Sequence, residues 1–286
     1  MSLKSLLDAP GILVAPGVFD ALTGLIAERS GARAVYLSGA SIAYTRFGRP
    51  DIGLVSMNEV ADTIAALRDR ISLPIVVDAD NGFGNALNVQ RTMRAFERMG
   101  ANAIQFEDQT LPKRCGHLDG KALIPKSEMA GKVRAACDAR ASSETLVIAR
   151  TDAIAVEGFE AALDRAEAYL SAGADLLFVE APESREQMAA ITRNFGDRMR
   201  LMANMVEGGK TPVTDAADLE SLGFDLVIFP GGIVRALAAT AVEYYDNLLA
   251  NGSNAAFRGR MYDFNGLNDL IGTAGMLAAG RAYEGK

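Results

Sequence analysis

Short apolar and β-branched runs alternate along the chain with longer stretches whose apolar residues recur at helical spacing. The runs fall at 12–15, 34–38, 74–78, 103–107, 145–150, 176–180, 200–203 and 226–229, and predict eight strands. The amphipathic stretches fall at 20–30, 57–70, 88–99, 127–141, 158–172, 184–194 and 215–222, and an eighth helix, IVRALAATAVEYYDNLLANG, follows the last strand. Strands separated by helices form βαβ units and a parallel sheet. Their nearly continuous apolar character suits strands covered on both faces. Eight such units in about 250 residues predict an α/β fold, a closed (β/α)8 barrel of TIM type. Four helices end in a glycine joint before the next strand, in SGARAVYL, MGANAIQF, AGADLLFV and LGFDLVIF, where glycine supplies the left-handed φ of a helix C-cap. The competing arrangement, a doubly wound open sheet, would carry G-x-G-x-x-G after its first strand, and this chain does not.

Residues 251–286 add apolar positions at Leu267, Leu270, Ile271, Met276 and Leu277 but no ninth strand. With the barrel already complete, this C-terminal helical extension is expected to bury its apolar face on a second subunit. The chain therefore reads as one domain, 1–286, a barrel with an extension.

Charge and composition narrow the function. The 286 residues carry 29 Lys and Arg against 36 Asp and Glu, a net charge of −7. That balance argues against nucleic-acid or anionic-membrane partners. No apolar run approaches the roughly 18 residues of a membrane span. The N-terminus lacks the apolar core and cleavage site of a signal peptide. Cys115 and Cys137 are too few for a disulfide framework, so a reducing cytoplasm is expected. His117 is the only histidine, which excludes metal sites built on several His ligands, and any Ser-His-Asp triad that does not use it.

Barrel enzymes work at the C-terminal ends of their strands. Here those ends are polar: Tyr36 to Ala40 on the second, Asp78 to Gly84 on the third, Glu107 and Asp108 on the fourth, Arg150 to Asp152 on the fifth, Glu180 on the sixth and Asn204 on the seventh. Asp78, Asp80 and Glu107 come from adjacent strands, and Asp51 in the loop GRPDIGL is placed to join them. Clustered carboxylates repel and are costly to desolvate, a cost that a hard divalent cation removes. Oxygen ligands completed by water and substrate suit Mg²⁺, with Mn²⁺ as a substitute, better than Zn²⁺. The bland alternative is a solvated acidic rim or a salt-bridge cluster with Arg150. The glycine-rich stretch DADNGFGN lacks the Walker lysine of a phosphate loop.

The loop LPKRCGHLDGKALIP places Cys115 two positions before His117, with Lys113, Arg114 and Lys121 around them. Cationic neighbours lower a thiol pKa, so Cys115 is expected to ionise readily and to serve as nucleophile or acid/base catalyst. The glycine and proline content suggests a lid that closes over the reaction. Cys137 sits at an apolar-face position of a helix and reads as core.

KRCGHL, together with YLSGA, DADNGFGN, FED, ARTDA and VEAP in that order, resembles the isocitrate lyase and phosphoenolpyruvate mutase superfamily, over nearly the whole chain. The length resembles its compact members, such as 2-methylisocitrate lyase and 2,3-dimethylmalate lyase. The resemblance implies a Mg²⁺-dependent barrel whose last helix is exchanged between subunits of a homotetramer, a dimer of helix-swapped dimers. It implies Asp78 and Asp80 on the metal, with Glu107 and Asp51 contributing partly through water. Ser38, Gly39 and Ala40 would bind a substrate carboxylate, Arg150 the oxo-acid end, and Gly116, Glu180, Asn204 and Arg235 the rest of a dicarboxylate. Tyr36 would take the hydroxyl proton, Cys115 would protonate the departing carbon, and His117, Lys113 and Arg114 would hold that fragment's charge. The implied reaction is retro-aldol cleavage of a 2-hydroxydicarboxylate into a 2-oxo acid and a carboxylic acid. The alternatives are an oxaloacetate hydrolase and a carboxyphosphonoenolpyruvate phosphonomutase. The chain reads NMVEGG (Asn204 to Gly209) where methylisocitrate lyases tend to read NITEFG, and LDGK follows the signature. Cys115 in the lid speaks against a phosphonomutase. Pro230, where hydrolases usually carry serine, favours a lyase acting on substituted malates.

Overall fold

The computed structural model describes residues 1–212 and 215–284. Eight parallel strands close into a barrel in chain order among these residues: β1 (Leu13–Val18), β2 (Val35–Leu37), β3 (Ile75–Asp78), β4 (Ala103–Glu107), β5 (Leu146–Thr151), β6 (Leu176–Val179), β7 (Arg200–Asn204) and β8 (Leu226–Phe229). The predicted fold class and all eight predicted strands are present, with shifted ends. β1 runs on through Pro16 and Gly17 because its C-terminal half pairs with β2.

Helices alternate with the strands. They are α1 (Leu3–Leu7), α2 (Ala21–Arg29), α3 (Gly39–Ile42), α4 (Met57–Arg70), α5 (Ala86–Met99), α6 (Lys126–Ala139), α7 (Ile154–Glu157), α8 (Phe159–Ser171), α9 (Arg185–Phe195), α10 (Ala216–Leu222) and α11 (Gly232–Asn251). Local chemistry sets their ends. Asp20 and Ser56 form capping boxes with Thr23 and Glu59. The glycine joints Gly31, Gly100, Gly173 and Gly223 all have φ between +89° and +102°, as their C-cap role requires. The pattern did not predict α1, the short α3 and α7, or the π-helical turn Ala43–Phe47, which are too short to show periodicity.

The strands bury side chains on both faces, and the two faces form separate clusters. Val35, Val77, Ile104, Val147, Leu177 and Val227 pack against the helices. The alternate residues Leu13, Tyr36, Val76, Ala103, Ile148, Phe178, Met202 and Ile228 fill the barrel interior together with Leu3, Leu6 and Leu7 of α1. α1 thus plugs the N-terminal end of the barrel. Continuing the inward series toward the other end, six strands turn polar: Tyr36 to Ser38, Val76 to Asp78, Ala103 to Gln105 and Glu107, Ile148 to Arg150, Phe178 to Glu180, and Met202 to Asn204. The register pairs Glu107 with Arg150 directly and Asp78 with Gln105.

The residues form two compact units, Met1–Ile233, which holds the whole barrel, and Val234–Lys286. In the second unit a 3-10 turn (Ala255–Arg260) returns to α11, where Phe257 meets Tyr244 edge-on and Arg260 stacks on Phe257. Helices α12 (Phe264–Ile271) and α13 (Thr273–Arg281) follow. The predicted extension is helical as far as described; its last two residues, Gly285 and Lys286, lie outside the described residues. No helix among the described residues is long and apolar enough to cross a membrane.

Candidate active site

The polar inward residues meet at the C-terminal mouth of the barrel. Asp78 and Asp80 sit on the β3 end, where Asp80 takes a left-handed φ of +47°. Asp78 Oδ1 accepts from Asp80 N at 3.1 Å and Gln105 Nε2 at 3.3 Å, and its Oδ2 from Gly39 N at 3.4 Å. A Cβ at Gly39 would lie 3.3 Å from Asp78 Oδ2, so glycine lets α3 approach the carboxylate. Ser38 caps α3 by accepting from Ser41 N at 3.2 Å, and Ala40 follows Gly39 beside the acids. Burial pushes the Asp80 carboxyl up to about 7, Lys113 pulls it back, and Asp78 and Asp51 add to the rise.

Four expectations are corrected at this end. Asp51 does not stand with the acids as a free ligand. Lys113 Nζ lies between Asp51 Oδ1 at 2.6 Å and Asp80 Oδ1 at 2.8 Å, all three buried. Lys113 is therefore committed to carboxylates and not available to a substrate fragment, and Arg114 donates to the Asp119 carbonyl instead. Cys115 is not acidified: burial raises its thiol, Asp51 and Glu180 add to that, and the His117 backbone and Arg150 offset only part. Its cationic neighbours in sequence point elsewhere. Tyr36 is a poor resting base: burial, and then Asp78, push its phenol well above its ordinary range, and its hydroxyl donates to Gln105 Oε1 at 2.9 Å.

The opposite side of the mouth is built on Arg150. Asp152 grips its Nε at 2.9 Å and Nη2 at 3.0 Å, and Glu107 and Glu180 lie at 3.4 and 3.6 Å. The Phe178 ring lies 5.1 Å below the guanidinium. The bland alternative, a salt-bridge cluster with Arg150, is therefore present, alongside acids it does not satisfy. Burial raises the Glu107 carboxyl well above its usual range despite Arg150. Asp152 is held low by Arg150 and Lys121 although burial acts against this. Beneath it, Asp108 accepts from Asp152 N at 2.9 Å and from Thr151 Oγ1 and Tyr169 OH at 2.7 Å each, with Arg165 alongside. Gln105, Asp108, Lys121 and Asp152 carried no assigned role in the sequence reading. Gln105 shares the inward parity of Glu107 two residues later, the signal that finds it.

The Cys-Gly-His loop lies over this arrangement. Cys115 N donates to the Asp51 carbonyl at 3.2 Å. A Cβ on Gly116 would fall 2.2 Å from Glu180 Oε1 and 2.4 Å from Arg150 Nη2, so only glycine fits the closed position. His117 Nδ1 accepts from Lys210 N at 3.2 Å, and its Nε2 lies 3.4 Å from Glu180 Oε1. Burial lowers the imidazole pKa, so the ring is neutral near pH 7. Asn204 Nδ2 donates to Glu180 at 3.2 Å. Arg235 lies on α11 in the second unit. Cys137 is half-buried against the helix-side core, with Sγ 3.2 Å from the Gly173 carbonyl, and both cysteines are free.

Four buried side-chain atoms among the described residues lack a directed hydrogen bond: Asp80 Oδ1, Glu107 Oε1, His117 Nε2 and Asn204 Oδ1. All four belong to residues singled out from the sequence. Such atoms are rare in folded proteins and point to groups that a ligand completes. The carboxylate pair among them is the donor chemistry of a hard cation. Among the described residues no group of three or more His, Cys, Asp or Glu is placed to hold a metal ion.

The family model described as phosphoenolpyruvate phosphomutase matches residues 3–249. The chain belongs to that family. It is 39% identical over 270 residues to a 2,3-dimethylmalate lyase of Eubacterium barkeri, covering 94% of this chain and 93% of the relative. It is 43% identical over 272 residues to a 2-methylisocitrate lyase of Aeropyrum pernix, covering 94% and 86%. The crystal structure of a 2,3-dimethylmalate lyase superposes with a TM-score of 0.93 at 32% identity, covering 99% and 94%. A phosphonopyruvate hydrolase in complex with oxalate and Mg²⁺ superposes at 0.88 with 27% identity, covering 98% and 97%.

Proposed function

We propose that this enzyme, a carbon–carbon lyase by its family, cleaves a 2-hydroxydicarboxylate of the alkylmalate or methylisocitrate type by retro-aldol chemistry. The carrying observation is that four buried atoms without a directed hydrogen bond lie on Asp80, Glu107, His117 and Asn204, around Arg150, with Asp80 Oδ1 held only by its ion pair to Lys113. Asp78 and Asp80 would hold Mg²⁺ (Mn²⁺ as substitute), with Glu107 contributing through water. Mg²⁺ bound there supplies positive charge that polarises the oxygens of the forming 2-oxo acid.

The rest is derived from the chain's own groups. Arg150, aimed by Asp152, holds the oxo-acid end, and Ser38, Gly39 and Ala40 line the carboxylate beside Asp78. Glu107, with one oxygen lacking a donor, accepts the hydroxyl proton in this reading. Tyr36 keeps its own proton on Gln105 and so positions Asp78. As the C2–C3 bond breaks, the electron pair passes to C3, and the Cys115 thiol delivers its proton there. A thiol held protonated by burial suits a general acid better than an acidified one would. His117, Gly116, Glu180 and Asn204 surround the departing carboxylic acid. Phosphonomutase chemistry is set aside because Cys115 stands in the lid. Oxaloacetate hydrolysis is set aside because Pro230, whose carbonyl accepts from Ser41 Oγ at 3.0 Å, has no hydroxyl to offer a hydrated ketone.

The same reading makes the molecule a cytoplasmic homotetramer of helix-swapped dimers. α11 is 20 residues long and buries only Val234 among its residues. The first unit carries an apolar groove of about 540 Å³ lined by Ile12, Val14, Pro16, Ile26 and Ile233, which α11 of a second copy would fill.

Release of 2-oxo acid is assayed with Mg²⁺ across alkylmalates and isocitrates. Turnover of at least one, abolished by chelation and restored by Mg²⁺, is expected. No turnover on any of them overturns the reading.

A further inference from the structure

Lys121 closes the lid segment, six residues after Cys115, and its side chain is 2% exposed. Its ammonium donates to the carbonyl of Gly116, in the lid, and to Asp152 Oδ1 at 3.1 Å, in the barrel wall. Asp152 is also the carboxylate that takes Arg150 on two edges. Its own backbone is fixed from below by Asp108, which Thr151, Tyr169 and Arg165 hold in place. Gly116, the other end of the lysine's bridge, is the residue that packs against Arg150 and Glu180.

We propose that Lys121 is the positioning residue that latches the lid: one buried ammonium joins the Gly116 carbonyl to Asp152, so lid closure and the aim of Arg150 are set by the same carboxylate. The stem of the lid is tied separately, by Lys113 to Asp51 and Asp80 and by Cys115 N to the Asp51 carbonyl. Those ties hold backbone and the Lys113 side chain, so the latch governs the lid from the Cys115 side chain through Gly116 and His117. Opening breaks the lysine bridge and gives its three polar groups to water. Closing restores a charge-assisted pair in a dry site, where such bonds are strongest. Removing the charge leaves the Gly116 carbonyl without this donor and Asp152 Oδ1 with Arg150 Nη2 alone in the closed form, which shifts the balance toward open. The argument rests on reading the Cys115 loop as a lid over Arg150.

The test reads the lid without any substrate, so it stands apart from the outcome of the lyase assay. The full-length protein is treated with iodoacetamide, and alkylation of Cys115 is followed by mass spectrometry, with Cys137 as internal reference. Lys121→Met is expected to speed Cys115 alkylation about tenfold or more, with Cys137 unchanged. Lys121→Arg, which keeps the charge, is expected to retain most of the protection. Asp152→Asn in the Lys121→Met background is expected to add little, because both changes cut one bridge. The proposal is overturned by equal Cys115 rates in wild type and Lys121→Met, by Cys137 accelerating in step with Cys115, by Lys121→Arg behaving as Lys121→Met, or by multiplicative effects in the double variant.

Discussion

At the residue scale, Gly116 decides whether the lid can reach Arg150. A single methyl there collides with Glu180 Oε1 and Arg150 Nη2, both fixed by partners of their own. Gly116→Ala is expected to lower kcat/KM by at least about a hundredfold, since displacing catalytic groups by even 1 Å is that costly. Its urea midpoint should stay near wild type, because the clash is relieved by leaving the lid open. An unchanged kcat/KM would remove the lid from the mechanism. Cys115 gives a pH prediction. Burial favours the neutral thiol, so its folded-state pKa lies above the ordinary thiol value of about 8.5. The acid form persists through neutrality, so on the alkaline side kcat/KM should fall above about pH 8.5. Cys115→Ser should be nearly inactive and lose that limb. An activity that rises with pH through the thiol range would instead assign Cys115 as a base or nucleophile. Most candidate side chains were legible because a strand end that turns polar after an apolar interior has no packing explanation. The thiol's ionisation was not, because it depends on where Lys113 and Arg114 point, and they are drawn to Asp51, Asp80 and Asp119.

At the element scale, β-strand parity does most of the work. The period-2 face that fills the interior is the one that delivers Asp78, Glu107, Arg150, Glu180 and Asn204 to the mouth. The strands and long helices were readable from apolar spacing and glycine caps. α1 was not, since five residues carry barely more than one turn. Its Leu3 is buried as deeply as any leucine in the barrel, however, and Leu6 and Leu7 are buried beside it. Leu3→Ala is expected to cost about 2–5 kcal/mol of stability by urea denaturation, the range for deleting a buried leucine side chain. A cost under about 1 kcal/mol, the level of exposed changes, would show that α1 does not plug the barrel. Asp108 and Lys121 escaped the sequence reading because their value lies in contacts across elements, from β4 to β5 and α8 and from lid to wall.

At the scale of the whole molecule, α11 exposes Val242 at 60%, Tyr245 at 59% and Leu249 at 82%. A 20-residue helix with that much bare apolar surface needs a cover. Val242→Glu combined with Leu249→Glu is expected to reduce the assembled mass in light scattering while far-UV circular dichroism keeps the barrel signal. A wild-type protein that is monomeric at all concentrations would overturn the tetramer.

The two ends of the barrel have opposite character: leucines of α1 stopper one, and the other is ringed by carboxylate, imidazole and amide atoms short of partners. Each shortfall is a local tension that a bound anion and cation can relieve. Amide hydrogens near the stoppered end should therefore exchange with deuterium only when the entire chain unfolds. Those around the open ring should exchange through small local breaths, which oxalate with Mg²⁺ would quiet.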